Sequence, residues 1–225
     1  LRNIGRLRTA GVGVAGSQIS RSVAEDGWPR RVTVSKGGSH GSQRAEEWLV
    51  WHRQVEGQQA QRIEIAFRLE AGRVVPVCDS PLTVFLPTEK ETFLGFLVQG
   101  PYRTTPARDN VPGHDPSNQA LVHATGSLLV DVLRSLRDEG LLTATALQAL
   151  PLDAARFEPG SMFRPLFDAV GDALTTEALI PVAAGGYGVA VDLLLAGGAA
   201  VPELLDPDQL GALCGAGRPV RFADE

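Results

Sequence analysis

In the stretch LGFLVQGPYRTTPARDNVPGHDPSNQALV, residues 94–122, the chain changes from strand-like to helix-like sequence. Its first part, LGFLVQG, is apolar and ends in glycine, as a strand does before a turn. Asp115 followed by Pro116 is a typical N-cap and first-turn pair of a helix. Between them, TTPARDNVP at 104–112 places Arg108 between two prolines. The stretch therefore predicts a strand, a stiff loop and then a helix.

Upstream of this stretch, short apolar segments predict a sheet. RIEIAFRL at 62–69 alternates apolar and polar residues, and the turn EAGR leads from it into VVPVC, which indicates a hairpin. RRVTV, EEWLVWHRQ, LTVFLPT and LGFLVQG are each expected to form one strand. If neighbouring strands pair, the sheet is largely antiparallel. The first 45 residues are rich in Gly, Ser and Arg and are expected to be loop-like, with a mobile loop at SKGGSHGSQ, 35–43.

Downstream, apolar residues three and four apart predict a helix of about six turns that ends at Gly140. Its apolar stripe consists of Leu121, Leu128, Leu129, Val132, Leu133 and Leu136. Thr143 and Ser161 are expected to cap two further helices, and Asp206 a last one that closes at Gly215. YGVAVDLLLA at 187–196 is compatible with either strand or helix.

These segments predict an α+β fold, with a strand-rich first half that is mostly antiparallel and includes a long helix, followed by a smaller helix-rich α/β part. We expect three regions: a lead segment at 1–45, a transducer-like α/β domain at 46–141, and a helix-rich C-terminal subdomain at 142–225. The second region holds the arginine loop and the start of the long helix.

Composition places the chain among globular proteins, with 44% hydrophobic and 21% charged residues in 225. Charge is unevenly spread, with ten Arg/Lys against five Asp/Glu in residues 1–62 and eleven against twenty-one in 63–225. The basic front could meet an acidic partner domain or a polyanion, or could be a solvated face. Cys78 and Cys214 are expected to be buried free thiols. With no signal peptide and no uninterrupted apolar span, a cytoplasmic location and no membrane partner are expected.

The usual catalytic motifs are incomplete. GVGVAG at 11–16 has the dinucleotide-binding spacing but lacks the preceding strand and the following acidic residue. SKGGSHGS lacks the ending of a P-loop, and there is no G-x-S-x-G elbow. The four histidines show no spacing typical of metal ligands, so no metal site is expected. An independent hydrolase with a complete site is therefore poorly supported.

Arg108 is the residue that these exclusions leave. Pro106 fixes its own φ and Pro112 restricts Val111, so the loop has fewer conformations than most. A guanidinium group is a permanently charged planar fork that fits phosphate or carboxylate. The alternative is a local ion pair with Asp109 or Asp115.

A family resemblance bears on this choice. The segments FLPT, FLVQGPY, TTPARDN, PSNQAL and LRDEGLL together resemble the region that follows the ATP-binding domain in sacsin-like ATPases. These are relatives of the ninety-kilodalton heat-shock chaperone and have a Bergerat-fold (GHKL) nucleotide site. The resemblance covers residues 47–153 and continues more weakly to about 213.

The resemblance implies that this is the middle, transducer-like segment of a chaperone-type ATPase. It implies that Arg108 contacts the γ-phosphate of ATP held by an N-terminal domain of the same chain, and that the segment couples hydrolysis to domain movement. Where the chaperone has a glutamine, this chain has Pro112, so a second phosphate contact is assigned only provisionally to Asn110.

The nucleotide site itself is not expected here, because the Glu/Asn helix pair, the Asp-x-Gly-x-Gly strand end and the glycine-rich lid of that fold are missing. ATP with Mg is expected only in the context of the ATP-binding domain, and the segment alone is not expected to be an active enzyme.

Two other functions remain open. The first is a non-enzymatic module that binds a client or partner protein through an exposed apolar patch, for which Trp28, Trp48 and Trp51 are candidates, although at least two are expected in the core. The second is a transducer of the topoisomerase or mismatch-repair type that acts on DNA, against which the acidic second half argues.

Overall fold

The computed structural model describes residues 5–11, 14–24, 27–38, 43–55, 57–107, 109–195 and 204–224. Over these residues the fold is mixed α+β, with a large, mostly antiparallel sheet and four helices. The predicted fold class is confirmed at this level, including the strand-rich first half.

The first four strands form an antiparallel series in which each pairs with the next. They are β1 (Arg6–Gly11), β2 (Val14–Val23), β3 (Arg30–Gly38) and β4 (Gln43–Val55). The predicted strand RRVTV begins β3. The other described residues of the lead segment also form mainly strands, so the expectation that they are loop-like was wrong. Residues 35–38 of the expected mobile loop continue β3, and residues 39–42 lie outside the described residues. Glycine and serine weaken a strand in isolation, but ladder pairing with a neighbour supplies the missing hydrogen bonds.

Two hairpins follow. β5 (Gln58–Glu70) turns at Ala71 and Gly72 into β6 (Arg73–Val75), as the EAGR signal predicts. LTVFLPT is not one strand, because Phe85 adopts a left-handed φ of 62° and reverses the chain. The reversal divides the segment into β7 (Pro81–Val84) and β8 (Leu86–Glu91), which pair antiparallel.

The final strand of the sheet leads directly to the loop that contains Arg108. β9 (Leu97–Gln99) lies between β5 and β7, antiparallel to β5 and parallel to β7. The order among the described strands is β1-β2-β3-β4-β5-β9-β7-β8, with β6 beside β5. The chain leaves β9 for the loop and then enters α1 (Pro116–Asp138).

One face of the sheet forms the core with α1. The alternating residues Ile63, Ile65, Phe67 and Leu69 are all buried. Trp51, on the same face, donates its Nε1–H to Ser135 Oγ of α1 at 3.2 Å. The five leucines and one valine of the predicted stripe on α1 are buried as well. The same cluster of buried side chains extends to Leu179.

The second half contains three shorter helices. These are α2 (Ala144–Leu147), α3 (Arg164–Thr176) and α4 (Pro207–Leu213). Thr143 caps α2 and Asp206 caps α4, as predicted. The prediction that Ser161 caps α3 was wrong, because the helix begins at Arg164 after Phe163, which makes no side-chain cap. Pro165 in the first turn stabilises this start without a cap.

Short elements complete the chain. YGVAVDLLLA is neither one strand nor one helix: it comprises β11 (Tyr187–Gly188), a 3₁₀ turn at Ala190–Asp192 and β12 (Leu193–Leu194). β11 pairs with β10 (Ile180–Pro181), and β12 with β13 (Arg221–Phe222).

Two sequence expectations about exposure are corrected. Cys78 and Cys214 are free, as expected, but exposed rather than buried. Trp51 alone of the three tryptophans is fully buried, whereas Trp48 is partly exposed and Trp28 is 48% exposed. None of the helices in the described ranges is both long and apolar enough to cross a membrane.

Candidate functional site

The loop at 104–112 is closed at its neck by one buried side chain, Asn118. The Oδ1 of Asn118 accepts from the backbone N–H of Arg103 at 2.7 Å. Its Nδ2 donates to the carbonyl oxygen of Arg103 at 3.0 Å and to that of Pro112 at 2.9 Å. A single amide therefore holds both ends of the loop, and because Asn118 is 0% exposed, water does not compete for these bonds.

Within the loop, Thr105 is the centre of a second set of hydrogen bonds. Its backbone N–H donates to the carbonyl oxygen of Asn110 at 3.0 Å, and the N–H of Asn110 donates to Thr105 Oγ1 at 3.2 Å. The Thr105 hydroxyl donates to Asp109 Oδ1 at 2.5 Å. The two arms of the loop are thus joined across residues 105–110, so the loop tip projects from a closed base.

Asp115 connects the loop to the helix. Its Oδ1 accepts from the N–H groups of Ser117 at 2.8 Å and Asn118 at 3.1 Å, as an N-cap does. Its Oδ2 lies 3.4 Å from Arg103 Nη1. The N–H of Asn118, followed by that of Ser117 and the charge of Arg103, lowers the pKa of this carboxyl group, although partial desolvation opposes the shift.

The neck is also anchored in the core. Val111 and Tyr102 are buried, and the Tyr102 hydroxyl lies 2.9 Å from Thr125 Oγ1 of α1. Thr125 donates its own hydrogen to the carbonyl oxygen of Leu121 at 2.7 Å, so Tyr102 is the donor in this pair. Burial raises the pKa of Tyr102 to about 12. The phenol therefore stays neutral and tied to the helix at physiological pH.

Of the two predicted site residues, only Asn110 lies in the part of the chain that the structure describes. Arg108 lies outside the described residues. Asn110 is exposed, and its Oδ1 accepts from the backbone N–H of Val111 at 2.8 Å. This bond engages the amide oxygen, and the NH₂ group of an amide can donate to a phosphate oxygen. Asp109 and Asp115, the local partners considered for Arg108, both accept hydrogen bonds from other groups.

Sequence reasoning missed Asn118, Tyr102 and Thr125 as positioning residues. A signal for two of them was present, because positions 118 and 125 share the helical spacing of Leu121, Leu128 and Leu129. Polar side chains on a buried helix stripe need partners. Asn118 finds them in the backbone of Arg103 and Pro112, and Thr125 in Tyr102 and Leu121.

The remaining candidates supply no chemistry at this loop. His114 precedes the helix cap and is exposed. Across the described ranges, no group of three or more His, Cys, Asp or Glu side chains is arranged to hold a metal ion.

Comparison of the chain with protein-family models, with curated proteins and with solved structures gave no match. A function for this loop is therefore argued from its geometry and from the motifs within it.

Proposed function

We propose that this chain is the middle segment of a sacsin-like, chaperone-type ATPase, and that the loop at 104–112 presents Arg108 to the γ-phosphate of ATP bound in a separate domain. The observation that carries the proposal is the clamp by Asn118, which holds both ends of the loop with three hydrogen bonds. A cation that must meet a phosphate on another domain loses little conformational entropy if its loop is ordered beforehand.

The residues around the tip fit this role. Asp109 accepts a hydrogen bond that closes the loop, and Asp115 caps α1. Asn110, in the same loop, carries an amide whose NH₂ group can donate. When ATP is bound, it supplies the phosphoryl group and the developing negative charge. Arg108 would neutralise that charge, and Asn110 would orient a phosphate oxygen.

The fold also supports a coupling role. The loop continues directly into α1, a helix of 23 residues whose apolar stripe packs on the sheet. A displacement of the loop on phosphate contact would therefore be transmitted along a rigid element, as in domain closure of other nucleotide enzymes.

The experiment is Arg108→Ala in the protein that joins this segment to its ATP-binding domain. We expect ATP turnover at saturating ATP to fall by roughly tenfold to 10³-fold, less than for the arginine fingers of GTPases. Nucleotide affinity should change much less than turnover. Arg103→Ala is the matched control, because it removes a neighbouring arginine that pairs with Asp115 outside the loop tip. Unchanged turnover in the Arg108 variant would refute the catalytic role.

A second candidate, a protein-interaction module, is favoured by the open face of the sheet. Trp48 lies on the face opposite Trp51, with Val32 and Arg68 as its cross-strand neighbours. A partly exposed tryptophan beside an arginine is typical of the energetic centre of a protein interface. For this candidate, Trp48→Ala should abolish partner binding, whereas Arg108→Ala should leave both partner binding and ATP turnover unchanged.

The same face would also serve a DNA-acting transducer, because it carries Arg30 and Arg44. That function requires duplex binding that weakens steeply as salt rises from 50 to 200 mM, by roughly 10³-fold or more for six phosphate contacts. Affinity that is independent of salt would exclude it.

A further inference from the structure

A cleft remote from the arginine loop has the features of a ligand site. It lies between the connection from β6 to β7, the connection from β8 to β9, and the end of α2, and its volume is about 460 Å³. This is within the range of small-molecule sites in proteins. Its chemically distinctive lining residues are Cys78, Glu91, Phe93, Gln148 and Arg156.

The walls of the cleft are fixed by hydrogen bonds. Buried Ser80 donates to the carbonyl oxygen of Leu94 at 2.5 Å, and buried Thr92 donates to that of Ser80 at 2.7 Å. The N–H of Val77 donates to Gly95 O, and the N–H of Gly95 to Ala149 O, each at 2.9 Å. The two connections and the end of α2 are thus one hydrogen-bonded unit, so a ligand would enter a preformed site.

Two exposed side chains of the cleft, Phe93 and Arg156, lie close to each other. The guanidinium carbon of Arg156 lies 6.0 Å from the centre of the Phe93 ring. Arg156 pairs through Nε with Asp153 at 3.3 Å, which leaves its terminal nitrogens to bind another acceptor. Phe93 is 52% exposed and is held in a left-handed backbone conformation, φ 58°, which is rare for a bulky residue. The fold thus keeps an aromatic ring at the surface beside a cation.

We propose that this cleft binds a small monoanionic carboxylate with a flat, conjugated body. The terminal nitrogens of Arg156 would bind the carboxylate as a fork, and the ring of Phe93 would stack on the flat body. Gln148 offers an amide at the same wall. Glu91 also lines the cleft and would repel a second negative charge, which excludes polyanions such as nucleoside phosphates. The site is independent of the function proposed for Arg108.

Cys78 provides a direct test, because its exposed thiol lines the cleft and the other cysteine, Cys214, does not. In a Cys214→Ser background, the rate of Cys78 modification is measured with N-(4-carboxyphenyl)maleimide and with its uncharged twin, N-phenylmaleimide. We expect the carboxylate reagent to show a saturating dependence of rate on concentration and, at low concentration, a rate roughly tenfold higher than its twin, as one charge-assisted contact implies.

Three variants identify the source of that preference. Arg156→Gln should remove both the saturation and the difference between the reagents, whereas Arg44→Gln, an exposed arginine outside the cleft, should change neither. Glu91→Gln should increase the preference for the carboxylate reagent. Benzoate, which does not react with thiols, should protect Cys78 in the background protein and fail to protect it in Arg156→Gln. A linear rate dependence, or an equal preference in Arg156→Gln, would overturn the proposal.

Discussion

The hydroxyl groups of Tyr102 and Thr125 lie 2.9 Å apart in the core, and this bond joins the segment that enters the loop to the helix that leaves it. Asn118 makes the same connection two turns earlier on α1, about 10 Å along the helix axis. The base of the loop is therefore attached to α1 at two positions, Asn118 and Thr125. A loop held in this way can direct a side chain at a fixed point outside the segment, which is what contact with a phosphate on another domain requires.

Tyr102→Phe should make stability less dependent on alkaline pH. The pKa of Tyr102 is raised from 10.0 to about 12 by burial, so the folded state holds its proton more tightly than the unfolded state. The stabilisation is fully present below pH 10 and is lost as the pH rises through 12. The free energy of unfolding, measured by urea titration at pH 8, 10 and 11, should fall more steeply for the parent protein than for the variant. At pH 8 the variant should be less stable by about 0.5–1.5 kcal/mol.

The second tyrosine of the chain, Tyr187, is the control for this measurement. Its pKa is also raised, by partial burial, although the charge of Arg137 opposes the shift. In Tyr187→Phe only Tyr102 titrates, so absorbance at 295 nm should show a single transition near pH 12. A transition near pH 10 in that variant would show that Tyr102 is not buried.

The fold was predictable where the chain follows its local preferences. Alternation in β5 and the cap, stripe and terminal glycine of α1 are all local signals, and each was confirmed. The reversal at Phe85 was not predictable, because a bulky residue at φ 62° is imposed by the packing of β7 and β8 and not by composition. β1, β2 and the end of β3 beyond RRVTV were missed for a related reason: pairing with a neighbouring strand stabilises polar, glycine-rich segments that look loop-like alone.

The loop between β9 and α1 was predictable from the sequence, but the contacts that hold it were not. Two prolines around Arg108 indicate a stiff loop. The clamp by Asn118 depends on contacts between residues 15 and 6 positions apart, which no local pattern encodes. A polar residue within an apolar helix stripe indicates that a buried partner exists, but the fold decides which backbone groups it meets.

Asn118→Ala should loosen the loop. The substitution leaves the carbonyl oxygens of Arg103 and Pro112 without donors, in a site that water does not reach. We expect a loss of about 2–4 kcal/mol in the free energy of unfolding. Trypsin should also cleave within residues 103–112 faster under native conditions, as followed by mass spectrometry.

Asn118→Asp and Asn110→Ala are the comparison variants for this experiment. In Asn118→Asp, the new carboxylate is as large as the amide but cannot donate to the two carbonyl oxygens. The loss in the free energy of unfolding should therefore be at least as large as for Asn118→Ala. Asn110 is exposed and makes one local side-chain hydrogen bond, so Asn110→Ala should lower the free energy of unfolding by less than about 1 kcal/mol. Equal effects of Asn118→Ala and Asn110→Ala would contradict the clamp.

Glu177→Gln should destabilise the contact between α3 and α1 in a pH-dependent way. Arg134 donates to both carboxylate oxygens of Glu177, at 2.8 and 2.6 Å, and lowers the pKa of this group. The resulting stabilisation is present above the ordinary pKa of 4.5 and is lost as the pH falls through the lowered value. Because both side chains are partly exposed, the difference from the parent protein at pH 7 should be under about 1 kcal/mol. It should shrink in 1 M NaCl and at acidic pH. An equal difference in 0.05 M and 1 M salt would show that packing, not charge, links the two helices.

Gly95→Ala and Gly171→Ala should change stability in opposite directions, although each adds one methyl group. A Cβ at Gly95 would lie 2.4 Å from the Cα of Ala149, and the N–H of Gly95 already donates to the carbonyl oxygen of that residue. Either this contact or the wall of the cleft must shift, at a cost of about 1–3 kcal/mol. A Cβ at Gly171, within α3, meets no atom within 4 Å, so alanine should stabilise the helix by roughly 0.5–1 kcal/mol. Urea titration of both variants tests the close approach of the β8–β9 connection to α2. If Gly95→Ala left the free energy of unfolding unchanged, this close approach would be refuted.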